Sequence, residues 1–389
     1  MIDDVRKLTN KYYSKIVEIR RELHMIPELG DNEVKTKEYI KNHIQKLSHF
    51  EIIEVLDTGL IAVIRNNNSK VIALRADMDG LPIEEVNDVY YKSKHEGLMH
   101  ACGHDVHMAI LLGVANILDE MWDQLNIDVK LIFQPAEETT GGAKRIIKSG
   151  ILNDVSAVFG LHVDPHFQVG EVLYTGDEMY SSSTAFNLDV YGDSVHIAFS
   201  NDKVNAVLVS IKLLEELFAI TKEYDQNVLL GVGKVSSGVA RNIMPENVHL
   251  ECTLRINKIN LYDKIKKLFI EKIREVEELY KTKIIYKEIS NYPILVNNKS
   301  LEKIFLDVCD SLEIKTIHLE KPLFTSEDFA WFNYYIPSYF YNIGSNNKNI
   351  KTSLHKNDFN VDDLVMYYGV ILQTLIVLKY GGDTYVENN

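Results

Sequence analysis

At 389 residues, against a prior of about 150 residues per domain, the chain is long enough for two or three cores, and we expect two. Hydrophobic residues at 46% and charged residues at 25% give the balance of a globular protein, which excludes the disordered and fibrous classes. A net charge of −14, from 42 Lys plus Arg against 56 Asp plus Glu, repels phosphate backbones and anionic lipid surfaces and argues against nucleic acid or membrane as a partner.

The first residues, MIDDVRKLTNKYYSKIVEIRREL, read as an amphipathic helix of mixed charge without the apolar run and small-residue cleavage site of a secretory signal. No stretch reaches the roughly 20 apolar residues that a membrane span needs. The cysteines are Cys102, Cys252 and Cys309, an odd number in a chain too large to need stapling, so a reducing cytoplasm is the expected location. Cys252 and Cys309 lie in apolar periodic segments and are expected in the core.

Three β-rich runs then appear: VIALRAD ending at Asp77, VKLIFQPAEE ending at Glu138 and AVFGLHVD ending at Asp164. They are apolar on both faces and separated by helix-length segments, which predicts parallel strands covered by helices on each side. A helix is expected from Asp105, with Val106, Ile110, Val114, Ile117, Leu118 and Met121 on its apolar face. Another over 142–149 is closed by Gly150. Between Tyr180 and Lys287 the order becomes β-α-β-β-α, the mark of an inserted α+β module. Helices over 301–312 and 361–379 return to the first domain. The expected organisation is an α/β domain over 1–179 and 288–389, a mostly parallel sheet flanked by helices, with an inserted domain over 180–287.

In LMHACGHDVHMA, residues 98–109, His100, Cys102 and His104 stand two apart, so an extended segment would turn all three to one side to grip a metal. The helix start beside them adds a positive dipole end, which together with a cation would hold Cys102 as thiolate. FQPAEE puts Glu137 and Glu138 just past a strand end, where clefts open in parallel sheets. Adjacent carboxylates there can divide labour, one binding metal and one acting as general base. His162 and Asp77 end the other two runs, with Asp77 placed to accept the free N–H of a ligand imidazole. Alone, His162 would be read as a core histidine and the Glu pair as a solvated turn. Convergence on one sheet edge favours the metal reading. With His355 from the polar loop SLHKNDF, the donors Cys102, His104, Glu138, His162 and His355 are enough for two ions sharing bridging groups.

These residues resemble the M20 metallopeptidase superfamily, in particular its amidohydrolase branch of hippurate hydrolases, N-acyl-amino-acid deacylases, N-acetyldiaminopimelate deacetylase and plant auxin-conjugate hydrolases. The matching segments are RRELHMIPELGDNEVKT (20–36), RADMDGLPIEE (75–85), MHACGHDVHMA (99–109), IFQPAEETTGGAKRII (132–147) and FGLHV (159–163). Weaker matches are VGKVSSGVARNIMPENVHLECTLR (232–255), TSEDFAWF (325–332) and LHKNDF (354–359). The resemblance implies a di-metal exopeptidase-like catalytic domain with a ferredoxin-like dimerisation domain inserted in it. It further implies that Cys102, His104, Glu138, His162 and His355 bind two divalent ions, of zinc, manganese, cobalt or nickel, and that Glu137 is the base.

By the same resemblance His196, in GDSVHIAF, reaches across a homodimer or higher homo-oligomer to meet the oxyanion, while Asn242 and Arg255 hold substrate. The family carries Gly-Gly before this histidine and Pro-His after it; here Ser194 and Val195 precede it and Phe199, Ser200 and Asn201 follow. His24 and Glu28 are read as helix-end packing, and His100 and His107 as flanking the site. The expected substrate is a small N-acyl amino acid, N-acetyl above all, with N-acetyldiaminopimelate among the candidates. The rival readings are a dipeptidase or aminopeptidase of the same superfamily and, from another class, an inactive metal-binding interaction protein.

Overall fold

The computed structural model describes residues 1–66, 70–224, 226–347, 350 and 352–382. Two compact units are present, one of Met1–Asp177, Asn297–Glu320 and Trp331–Asn389, the other of Glu178–Val296 and Lys321–Ala330.

In the first unit the strands lie in the order Phe50–Val55, Gly59–Ile64, Asp128–Gln134, Val71–Asp77, Ala157–Gln168, Ser338–Asn346, Glu171–Tyr174, Lys315–His318. The centre is parallel: Val71–Asp77 pairs in parallel with both Asp128–Gln134 and Ala157–Gln168, and the latter with Ser338–Asn346. Antiparallel partners make the sheet mixed toward both edges. Every residue of Gly59–Ile64, Val71–Asp77 and Asp128–Gln134 is buried, which is why these runs are apolar without alternation. The two strands over 50–64 escaped the sequence reading.

Helix His104–Glu120 is buried from His104 through Leu118 and packs against Ile2–His24 and Leu364–Gly382. The last of these corrects an expectation. By length and composition Leu364–Gly382 is apolar enough to cross a membrane, although no such stretch was read in the sequence. Val365, Met366, Val370, Leu372, Ile376 and Val377 are buried in the core of this unit, so the helix is apolar for packing.

The second unit has four strands in the order Ile284–Tyr292, Ser182–Tyr191, Asn247–Ile256, Val228–Ser237, all neighbours antiparallel. Burial alternates along Ser182–Tyr191 and Asn247–Ile256 because one face is covered, with helices Ala206–Glu223 and Ile259–Tyr280 supplying Leu213, Leu217, Ile265 and Phe269 to the core. The full β-α-β-β-α-β order and the strand order make it ferredoxin-like. The final strand was not read from the sequence, since Lys287 and Glu288 interrupt its pattern, and it runs through the 287/288 boundary expected there.

Candidate metal centre

Strand register brings the first chemistry together. Asp77 pairs with Gln134 across one ladder, and Arg75 pairs with Gly160 across the other, so Asp77 stands level with His162. His162 does not end its strand: Ala157–Gln168 continues past it, paired only with Ser338–Asn346, because Val71–Asp77 has stopped. Side chains replace the missing ladder. Val163 N–H donates to His107 Nε2 at 3.0 Å, and His162 Nδ1–H donates to the Val163 carbonyl at 2.7 Å. That bond leaves His162 Nε2 as the lone-pair nitrogen, 3.3 Å from Cys102 Sγ.

Cys102 and His104 sit on a turn into helix His104–Glu120, whose N-cap is Gly103. Gly103 has φ of 86°, and a Cβ there would lie 2.4 Å from Val163 Cγ2, so only glycine fits between the two donors. The turn overturns the extended-segment expectation. His100 is buried with neither ring nitrogen hydrogen-bonded, joins none of the ligand clusters among the described residues, and is lowered by burial to about 3.

Glu137 and Glu138 leave the end of Asp128–Gln134 through Ala136, a non-glycine residue at φ 58°. Such a conformation costs roughly 1–2 kcal/mol and persists only when neighbours enforce it. Asp79, buried at 1%, accepts the Glu137 N–H at 3.1 Å and the Glu138 N–H at 2.9 Å, one on each oxygen. Asp79 was missed in the sequence reading, although it is the second acid of LRADMDG. Arg75 was missed too: it is fully buried, pairs with Asp77 at 2.7 Å and donates to Gln134 at 2.9 Å, tying two strand ends together.

His355 arrives from the far end of the chain at φ 60°, its N–H donating to the Ala101 carbonyl at 2.9 Å. Its Nε2 lies 3.3 Å from Cys102 Sγ and 3.0 Å from Glu138 Oε1. The donor atoms of Cys102, His104 and His162 lie within 4.8 Å of one another, as do those of Cys102, Glu138 and His355, and those of His104, Glu137 and Glu138.

This donor set fits a cation. His104 Nδ1 stands 3.2 Å from Asp79 and Nε2 3.7 Å from Asp77, but neither is aligned for a hydrogen bond, and both are buried. Burial disfavours charge on His104; Asp77, Asp79 and Glu138 overcome it and raise the ring to about 10, so a proton balances the acids where no cation does. Burial, with Glu138, Glu137 and Asp77 beside it, pushes the Cys102 thiol well up, the opposite of what a ligand thiolate needs unless a positive ion is next to it. Asp77 goes the other way: although burial opposes charge, His104, Arg75 and His107 hold it well below the ordinary range. Besides the Arg75 bond it accepts a hydrogen bond from an imidazole, His107 Nδ1–H at 2.6 Å. His107, lowered by burial to about 4, is neutral and has both nitrogens in use.

Residues 73–376 match the sequence family described as Peptidase family M20/M25/M40. The chain belongs to this family. Among relatives of this M20 chain, the thermostable carboxypeptidase 2 of Saccharolobus solfataricus is 32% identical over 97% of this chain and 99% of its own length. The N-acetyldiaminopimelate deacetylase of Geobacillus thermodenitrificans is 32% identical over 85% of this chain and 89% of its own. A crystal structure of the Bacillus subtilis YXEP protein, described as a dinuclear metal binding peptidase from the M20 family, matches with TM-score 0.84 at 27% identity, covering 95% of this chain and 98% of that one. This M20 chain is thus a metal-dependent hydrolase of amide bonds, of the family and fold class that its sequence suggested.

The remaining candidates of the M20 chain lie in its second unit. His196 is exposed; its Nδ1 accepts the Ala198 N–H at 3.2 Å, and its Nε2 lies 3.2 Å from Asn242 Nδ2. Arg255, half-buried on strand Asn247–Ile256, donates to Ser326 Oγ at 2.6 Å.

Proposed function

We propose that the chain hydrolyses the amide bond of N-acyl amino acids, N-acetyl amino acids above all, with two divalent ions held by Cys102, His104, Glu138, His162 and His355. The observation that carries this is the meeting of His355 with Cys102 and Glu138, from three distant parts of the chain, beside a buried His104 whose two ring nitrogens have no hydrogen-bond partner. Thiolate and imidazole donors suit zinc, cobalt or nickel, and imidazole with carboxylate also admits manganese. Bound there, such ions supply Lewis acidity toward the scissile carbonyl and toward water.

The chain's own groups do the rest. Glu137, beside His104 and Glu138, takes the proton of the attacking water and passes it to the leaving amine. Asp77 and Arg75 steady the strand ends beneath it. His196 donates its Nε2–H to the developing oxyanion, while Asn242 and Arg255 hold the substrate. The action of His196 from a second copy makes the working form a homodimer or higher homo-oligomer. Three free cysteines suit the cytoplasm.

A panel of N-acyl amino acids, assayed with apoprotein reloaded by each ion, tests the reading; no release of amino acid from any member with any ion would end it. The carboxypeptidase name of one relative favours a second reading, cleavage of a C-terminal residue from a peptide, and blocked dipeptides in the same panel separate the two.

A further inference from the structure

In the segment 20–36 only His24 and Glu28 are read from the sequence, as packing, yet another of its residues reaches the turn that carries the Glu pair. Glu33 is fully buried. Its Oε1 accepts the Ala136 N–H at 2.7 Å and its Oε2 accepts the Thr58 hydroxyl at 2.7 Å. Three successive amides, of Ala136, Glu137 and Glu138, are therefore satisfied by two buried carboxylates, Glu33 and Asp79. A run of N–H groups turned to one side by a left-handed residue forms a concave anion nest, and here protein carboxylates fill it.

The mount is stiff. Glu33 is the N-cap residue of helix Val34–Ile44, its carbonyl accepting the Lys37 N–H at 2.9 Å. The loop before it lies hard against the turn: a Cβ on Gly30 would come 2.2 Å from Thr139 Oγ1 and 3.0 Å from Ala136 Cα. Without an acceptor for its N–H, Ala136 loses the one contact that engages its own amide and pins its φ directly, and a relaxed Ala136 would swing the next side chain away from its present direction.

We propose that Glu33 is a positioning residue for Glu137, holding Ala136 left-handed through its N–H and so setting the direction in which the Glu137 side chain leaves the strand. This rests on the reading of Glu137 as the base.

The test uses the full, metal-loaded chain and three variants. Glu33→Ala removes the acceptor, Glu33→Asp retracts it by one methylene, and Glu33→Gln keeps an oxygen for Ala136 while its amide can donate to Thr58. Hydrogen–deuterium exchange over the 135–139 peptide reads the turn without reference to activity, and kcat and KM on an N-acyl amino acid read its consequence. Expected for Ala and Asp are exchange at least tenfold faster over 135–139, kcat at least tenfold lower and KM within about twofold, with Gln within threefold of the parent in all. A folded Ala or Asp variant with unchanged exchange, or with kcat within twofold, overturns the proposal, as does a Gln variant as impaired as Ala. If Ala does not fold, Asp and Gln decide. If the parent hydrolyses no N-acyl amino acid, the functional reading fails while exchange still reports on the turn.

Discussion

Asp77 and His107 are joined by a 2.6 Å hydrogen bond, and the second nitrogen of His107 accepts the Val163 N–H, so a buried acid at one strand's end, a helix residue and the middle of the next strand are locked as one piece. The piece sits directly behind His104 and His162, whose rings lie 5.6 Å and 4.7 Å from that of His107. Supporting contacts of this kind typically carry about 10- to 100-fold in metal affinity. His107→Ala is expected to weaken binding of the reloaded ion by that factor with every ligand in place. Chelator competition measures it; an unchanged dissociation constant would show that the two imidazoles hold their positions alone.

Glu137→Gln should keep its metal and lose its turnover. The substitution removes the proton acceptor but preserves size, and a general base is worth about 10²- to 10⁴-fold. Metal content by elemental analysis together with kcat checks both halves, and more than a tenth of parental rate would remove Glu137 from the role.

His196→Ala should leave metal content intact and lower kcat by about 10²- to 10³-fold, the usual range for one oxyanion donor. Its altered flanking residues make this an informative substitution: a loss below threefold would mark His196 as a surface residue.

Arg20 and Asp105 form an ion pair at 2.8 Å with neither side chain exposed, and His24 Nδ1 reaches the same Asp105 oxygen at 2.8 Å. Removing one member strands a buried charge, which costs about 3–5 kcal/mol. Arg20→Met should therefore shift urea unfolding by that amount. A shift under about 1 kcal/mol would mean that His24 alone neutralises Asp105.

Glu33 gives a pH dependence of known sign. Burial, against the hydrogen bonds from Thr58 and Ala136, raises it from 4.5 to about 7. The folded chain thus keeps a proton that the unfolded chain releases above 4.5, so this group's contribution falls as pH rises to about 7 and is constant beyond. The difference corresponds to about 3 kcal/mol. Glu33→Gln, which cannot ionise, should gain stability over the parent by up to that amount between pH 4.5 and 8. Parallel urea-unfolding curves for the two proteins across that range would contradict it.

Much of the chemistry could be read without coordinates because it is local. HACGHD places two donors on either side of a glycine, FQPAEE sets two acids after an apolar run, and both patterns are dense enough to be read from adjacent residues alone. Pattern reading likewise sufficed for the buried strands Val71–Asp77, Asp128–Gln134 and Ala157–Gln168 and for the long helices, but not for the buried Gly59–Ile64 and Ser338–Asn346. It failed for Ile284–Tyr292, an edge strand broken by charges, and for His100, because a left-handed glycine turns the chain where alternation assumes extension.

What tertiary structure alone decided is which distant atoms share a space. Nothing near His355 announces Cys102, and nothing near Glu33 announces Ala136; each pair is separated by more than a hundred residues and meets only when loops and helix ends fold against the sheet edge. Charge balance belongs to that level too: a carboxylate is unremarked in sequence, but several packed together out of water require a positive partner, a proton or a cation, and only folding packs them.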